Sequence, residues 1–204
     1  MADVTLTYKG STIAEMNATG SKTLKTSGKY CEGDIGVSYV KPEGVTSDEL
    51  AKKIITREGN ITELPSGITK IGNCAFYNYT NLALTSLPSG ITSIGDYAFH
   101  LCNNLALTSL PEGITSIGNY TFSGCKKLSL TSLPSSVTSI ENYAFRYCIS
   151  LTTLTFKGTP TGISDSAFYS CDNLTDIYVP WAEGAVSGAP WGATNATIHY
   201  NTTT

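Results

Sequence analysis

The stretch Ile91-Thr92-Ser93-Ile94-Gly95-Asp96-Tyr97-Ala98-Phe99-His100-Leu101-Cys102-Asn103-Asn104-Leu105 carries the architecture, because the chain keeps rewriting it. It returns with small changes over 114–128 and again over 137–151. Phenylalanine stands at Phe76, Phe99, Phe122, Phe145 and Phe168, always 23 residues apart. The same spacing holds for Leu82, Leu105, Leu128, Leu151 and Leu174, and for Ile71, Ile94, Ile117, Ile140 and Ile163. Cysteine joins at Cys102, Cys125, Cys148 and Cys171, with Tyr79 in the equivalent place of the first unit. Leu64, Leu87, Leu110 and Leu133 form a further column that Phe156 continues. A unit this short cannot bury its apolar face alone, whereas stacked coils set each column under its neighbour and make one continuous core.

Within a unit, Leu87-Pro88-Ser89-Gly90 reads as a turn, since Pro lacks a backbone donor and Gly permits positive φ. Ile91-Thr92-Ser93-Ile94 reads as a short strand. Tyr97 to Cys102 reads as a helical turn or two, with Ala98, Phe99 and Cys102 on one side. Leu105 to Leu110 reads as a returning strand after a turn at Asn103-Asn104. Coils paired in parallel at about 4.8 Å would give five units a rod about 25 Å long.

The pattern Ile-Thr-Ser-Ile-Gly-Asp-Tyr-Ala-Phe-x-x-Cys-x-x-Leu at 91–105, repeated at 114–128 and 137–151, resembles the bacterial BspA-like leucine-rich repeat. The resemblance implies a right-handed solenoid with a β-sheet on one face. It also implies protein binding, adhesion or surface attachment as the role, at the cell surface or outside the cell, with no catalytic residues to carry over. One departure is visible. The last units read Leu151-x-x-Leu154-x-Phe156 and Leu174-x-x-Ile177-x-Val179, the family's usual strand, while the middle units read Leu82-x-Leu84-x-x-Leu87 and repeat that order at 105 and 128.

These readings divide the chain into a small β-rich unit (1–44), a capping helix (45–60), a solenoid of five 23-residue units (61–178) and a C-terminal cap (179–204). In the helix, Thr46 and Glu49 form a capping box, Leu50, Ala51, Ile54 and Ile55 form an apolar stripe, and Gly59 suits the stop. Trp181 and Trp191 are suited to covering the last coil. Val4–Tyr8 and Ile35–Tyr39 alternate as strands, and Pro42-Glu43-Gly44 reads as a linker. The segment Gly20–Tyr30 bears a short resemblance to phage and prophage tail or appendage proteins. That supplies the alternative function, a virion-associated structural component anchored through residues 1–44.

Composition removes several classes. Thirteen basic and sixteen acidic side chains in 204 residues give a net charge of −3, without the clustered positive field a nucleic-acid binder needs. No run of 18 apolar residues exists to span a membrane. Met1 to Thr5 shows neither a basic nor an apolar signal region, so no signal peptide is expected. Phosphate- and dinucleotide-binding motifs are missing, and no cofactor is expected. No Cys-x-x-Cys or His-x-x-x-His spacing suggests zinc, and the cysteine column reads as free buried thiols. Cys31 and Cys74 lie off that column. His100 stands two residues from Cys102, a separation that points the two side chains apart on a helical turn, so the expectation is a protein that is not an enzyme. Asn-x-Thr triplets at Asn78, Asn119 and Asn195 follow from a composition rich in Asn and Thr.

A recognition surface must carry differences, and the repeat allows the architecture to be subtracted. Thr85, Thr108 and Thr131, with Ser86, Ser109 and Ser132, hardly vary. Variation concentrates after each Phe, at Tyr77, His100, Ser123, Arg146 and Tyr169, and next to it at Asn78, Leu101, Gly124, Tyr147 and Ser170. Aromatic residues and Arg are the usual interface anchors. Tyr77, Tyr79, His100, Arg146, Tyr147 and Tyr169 are therefore the candidate contacts for a protein or carbohydrate partner, against the alternative that exposed positions simply drift.

Overall fold

The computed structural model describes residues 2–8, 21–26, 34–40, 61–64 and 67–202. The predicted helix over 46–58 and the Pro42-Glu43-Gly44 linker lie outside them. Three N-terminal strands come first: β1 (Ala2–Tyr8), β2 (Ser21–Thr26) and β3 (Asp34–Val40). β1 pairs antiparallel with β2 and parallel with β3, which puts Val4 beside Ile35 and Leu6 beside Val37 in register. β3 then pairs antiparallel with β4 (Gly67–Ile71), which pairs with β5 (Ser93–Ile94), so the small unit continues the edge of the repeat sheet in the order β2-β1-β3-β4-β5. Three strands alone would be marginal, and this pairing supplies the neighbour they need.

The repeats form a parallel solenoid with two ladders. The first follows the Ile column in two pieces, β4 with β5 and then β6 (Ser116–Ile117), β8 (Ser139–Ile140) and β10 (Gly162–Ile163) in the order β10-β8-β6. Ile71 pairs with Ile94, and Ile117 and Ile163 both pair with Ile140, like with like. The second contains β7 (Ser132–Leu133), β9 (Thr153–Phe156), β11 (Asp176–Tyr178) and β12 (Thr197–His199), in the order β12-β11-β9-β7. Returning strands expected at Leu105–Leu110 and its equivalent in the preceding coil do not form. Leu105, Leu107 and Leu110 are all buried, so the inward spacing changes from two residues to three and the alternation a strand requires is lost. Where Leu154 and Phe156 keep the period of two, a strand appears.

Inside, the five phenylalanine rings make one line. Phe76, Phe99, Phe122, Phe145 and Phe168 follow each other at centroid spacings of 5.3, 5.5, 5.5 and 5.1 Å with nearly parallel planes. Each such pair adds about 0.5–1.5 kcal/mol beyond area burial. Trp191, fully buried and again 23 residues on, accepts the Phe168 N–H with its carbonyl at 2.9 Å and extends the column. Trp181 is buried beside Trp191 and Phe156. The thiols of Cys102, Cys125, Cys148 and Cys171 are buried and in no disulfide, and each donates to the Phe carbonyl 26 residues earlier, at 2.9–3.2 Å. Cys74 is disulfide-bonded, and Cys31 lies outside the described residues.

The segment expected as a helical turn is the main correction to the fold. Among the described residues there is no α-helix. In the Phe99 coil the N–H groups of Ala98, His100 and Cys102 bond back three residues, to Gly95, Tyr97 and Phe99. The alternate N–H groups, of Tyr97, Phe99 and Leu101, leave the coil for the carbonyls of Asn119, Thr121 and Ser123. Half the donors thus serve the next coil, which an i→i−4 helix cannot allow. The geometry needs left-handed residues at two places per coil, such as Tyr97 (φ 55°) with Leu101 (φ 61°) and Tyr143 (φ 56°) with Tyr147 (φ 57°). For non-glycine residues these are strained, and the inter-coil bonds over-determine them.

A side-chain ladder runs beside the stacked rings of Tyr97, Tyr120 and Tyr143. The Asn73 side-chain oxygen accepts the Asp96 N–H at 2.9 Å, and Asp96 Oδ1 accepts the Asn119 N–H at 2.8 Å. Glycine precedes each acceptor because a Cβ on Gly95 or Gly118 would collide with the Asn73 or Asp96 side chain. At the next coil Glu141 replaces glycine, and Asn142 reaches Asn119 Oδ1 through its side-chain amide instead, at 3.3 Å. In the sequence this Gly-Asx device stands as Gly72-Asn73, Gly95-Asp96 and Gly118-Asn119.

Candidate binding ridge

The outward positions of the turn segments lie in two adjacent columns. Tyr97, Tyr120 and Tyr143 follow each other at 4.9 and 5.0 Å between ring centroids. Beside them run Tyr77, His100, Ser123, Arg146 and Tyr169. His100 links the columns, 5.3 Å from Tyr77, 5.7 Å from Tyr97 and 5.9 Å from Tyr120. Tyr143 meets Tyr169 edge-on at 6.0 Å. The Arg146 guanidinium carbon lies 4.6 Å from the Tyr147 ring centroid, 5.5 Å from Tyr143 and 5.8 Å from Tyr169. The ridge is thus one connected line of aromatic and cationic side chains, with Ser123 and Gly124 as a low point between His100 and Arg146.

Exposure grades along it. Tyr77 is buried, and His100 and Arg146 are half-buried. Tyr147 and Tyr169 are 44% and 48% exposed, and with Ile149 at 41% they are the exposed large hydrophobic residues of the described chain. Tyr79 is the exception among the expected contacts. It is fully buried, because it occupies the place that Cys102 takes in the next coil, and it offers no side chain to a partner. Tyr143 and Ile149 belong with the ridge although the sequence reading did not include them. Arg in the adjacent column was the signal for Tyr143, and Ile149 stands two residues after Tyr147.

The electrostatics are simple. Burial pushes the His100 pKa below its ordinary value; the Ser123 carbonyl partly offsets this and the Arg146 charge reinforces it. His100 is therefore neutral at pH 7, and Nδ1 is buried without a hydrogen-bond partner. Arg146 Nε is likewise buried and unpartnered. Among the described residues Lys157 pairs with Glu112 at 3.1 Å and the His199 ring hydrogen-bonds Asp176 at 2.8 Å, and neither contact includes Arg146. His100 and Cys102 do not form a couple, since the Cys102 thiol is buried and donates to the Phe76 carbonyl. Among the described residues no three His, Cys, Asp or Glu side chains converge as a metal site, and no helix is long and apolar enough to cross a membrane.

Stacked columns of Ile, Leu, Phe and Cys, parallel ladders and coil-to-coil hydrogen bonding define a leucine-rich repeat solenoid. The chain belongs to the BspA type leucine rich repeat family, whose model matches six copies over residues 58–181. That is one more than the five units expected, and Ile61 already pairs in parallel with Leu82 ahead of the first Phe coil. The solved leucine rich repeat protein of T. pallidum (TpLRR) is similar at 26% identity and a TM-score of 0.56, covering 72% of this chain and 71% of that one. The pneumococcal vaccine antigen PcpA is similar in fold at 15% identity and a TM-score of 0.52, covering 97% of this chain and 56% of that one. No curated protein sequence matches.

Proposed function

We propose that the chain is a non-enzymatic binding or adhesion module that meets its partner through the ridge of Tyr77, His100, Arg146, Tyr147 and Tyr169. The observation that carries this is the exposure pattern. The exposed large hydrophobic residues of the described chain are Tyr147, Ile149 and Tyr169, and two of them contact the half-buried Arg146. Tyrosine and Arg at the centre of a patch are the residue types that dominate binding energy. Family membership supports a binding role, and similarity to a vaccine antigen supports a location at the cell surface. The Thr face gives the contrast: Thr85, Thr108 and Thr131 are exposed but uniform, and offer a partner little to discriminate.

The test is a paired variant experiment against immobilised extracellular-matrix proteins and a glycan array. Arg146→Ala with Tyr147→Ala and Tyr169→Ala should weaken any ligand of the wild type by about tenfold or more. Thr85→Ala with Thr108→Ala and Thr131→Ala should leave it unchanged. The opposite pattern, loss on the Thr face and retention without the ridge residues, would refute the assignment.

A further inference from the structure

We propose that Arg146, in its tyrosine setting, is the receptor for a side-chain carboxylate of an acidic segment in a partner protein. The proposal rests on the ridge being the contact edge and names the chemistry recognised there. Arg146 has five N–H donors to satisfy. Its Nε is buried without an acceptor, and among the described residues no ion pair includes the guanidinium. Three tyrosine rings, of Tyr143, Tyr147 and Tyr169, lie within 5.8 Å of it. They lower the local dielectric and restrict the fork, so a planar bidentate acceptor gains more and loses less entropy than at a free surface arginine. Among the described residues the cation has no counterion, which favours a negatively charged ligand. The chain as a whole carries −3, so its net charge does not account for attraction of an acid here.

Other anions fit less well. A phosphate group favours several donors at once, yet the local backbone N–H groups are already used. Gly124 N–H bonds to the Arg146 carbonyl, Arg146 N–H to Tyr143 and Tyr147 N–H to Tyr169. The neighbouring His100 brings no second positive charge at neutral pH. A single fixed cation matches a single carboxylate. An acidic sugar would want an open aromatic face, but Arg146 lies over the face of Tyr147. The exposed Ile149 offers a sugar hydroxyl nothing, and suits an apolar residue flanking the acid.

Arg57 and Arg146 are the two arginines of the sequence, so the side-chain N–H region of a nitrogen-15 NMR spectrum contains two arginine Nε signals, assigned with Arg146→Lys. The full chain is titrated with acetyl-Ser-Phe-Glu-Leu-Ser-amide, with the same peptide carrying Gln for Glu, with sodium acetate and with methyl glucuronide. Expected is a saturable shift of the Arg146 Nε signal and of the Tyr147 and Tyr169 amides with the Glu peptide. The Gln peptide should bind about tenfold more weakly, and Arg146→Gln should remove the difference while signals elsewhere stay in place. Equal binding of the Gln peptide would overturn the carboxylate assignment and leave the ridge standing. Acetate saturating the site at the peptide's concentration would overturn the partner segment, and glucuronide matching the peptide would overturn the protein class. No movement of any ridge amide with either peptide would overturn the proposal and the ridge together.

Discussion

Gly118→Ala tests whether coil-to-coil register is held by the Gly-Asx ladder as well as by the apolar columns. Gly118 does not occupy the positive-φ region, so alanine is conformationally acceptable there. Its new Cβ, however, would meet Asp96 Oδ1, the atom that accepts the Asn119 N–H at 2.8 Å. The carboxylate must turn away, and a hydrogen bond to a charged acceptor is worth about 1.5–3 kcal/mol. Restricting the unfolded chain returns about 0.4–1 kcal/mol. The net expectation is a loss of about 1–2 kcal/mol, or a Tm lower by about 2–8 °C in a chain of this size. Gly162→Ala is the matched control, since a Cβ there meets nothing within 4 Å; it should be neutral or stabilising by up to about 1 kcal/mol. Thermal and urea unfolding followed by far-UV circular dichroism reads both. In an Asp96→Ala background, Gly118→Ala should no longer cost anything, because the acceptor it displaces is gone. A Gly118→Ala protein as stable as Gly162→Ala, or an undiminished effect in that background, would refute the reasoning.

Two further outcomes follow from the buried groups. Cys102, Cys125, Cys148 and Cys171 should fail to react with a thiol reagent in the native state at pH 8 and all react after unfolding, because burial pushes the Cys125 and Cys148 thiols well above the usual range and Cys171 up to about 12; fast native labelling of any of the four would contradict the packed column. His100 has a folded-state pKa below its unfolded value, so the unfolded chain binds more protons between the two and stability rises with pH across that window; denaturation from pH 5 to 7 should show this slope, Tyr at position 100 should flatten it, and an unchanged slope in His100→Tyr would count against it.

The core was legible because a fixed 23-residue spacing leaves each column one place to go. The same logic already assigned Tyr79 to the cysteine column, and the structure follows the column instead of the neighbourhood of Tyr77. The curled segment was misread for a physical reason. Ala98, Phe99 and Cys102 face inward at spacings that a helical turn would give, yet a turn whose alternate donors serve the next coil presents the same three residues. Only hydrogen-bond destination separates the two, and apolar spacing is blind to it. Tyrosine at positive φ in Tyr97, Tyr120 and Tyr143 has no local signature either, since the neighbouring coil enforces it. The middle return segments failed as strands for a reason the sequence does contain, the change of inward spacing between Leu107 and Leu110.

Why the variable residues sit where they do follows from the same bonding. Phe122 must pass its N–H to Ala144, fill the stack between two rings and carry the carbonyl that takes the Cys148 thiol. Three neighbours constrain it, so any other side chain breaks more than one contact. The next residue in each coil is held differently. His100, Ser123 and Arg146 each bond back within their own coil, to Tyr97, Tyr120 and Tyr143. Their backbone needs nothing from the side chain, and the adjacent coil asks only that the side chain fit the groove beside the tyrosine column. Ser123 fits by being small and Arg146 by lying against rings, while Tyr169 projects. The solenoid thus frees one position per coil from the requirements of stacking. A surface able to differ from coil to coil without loss of fold can arise there, and the rigid columns beneath hold whatever side chains it carries at fixed spacing.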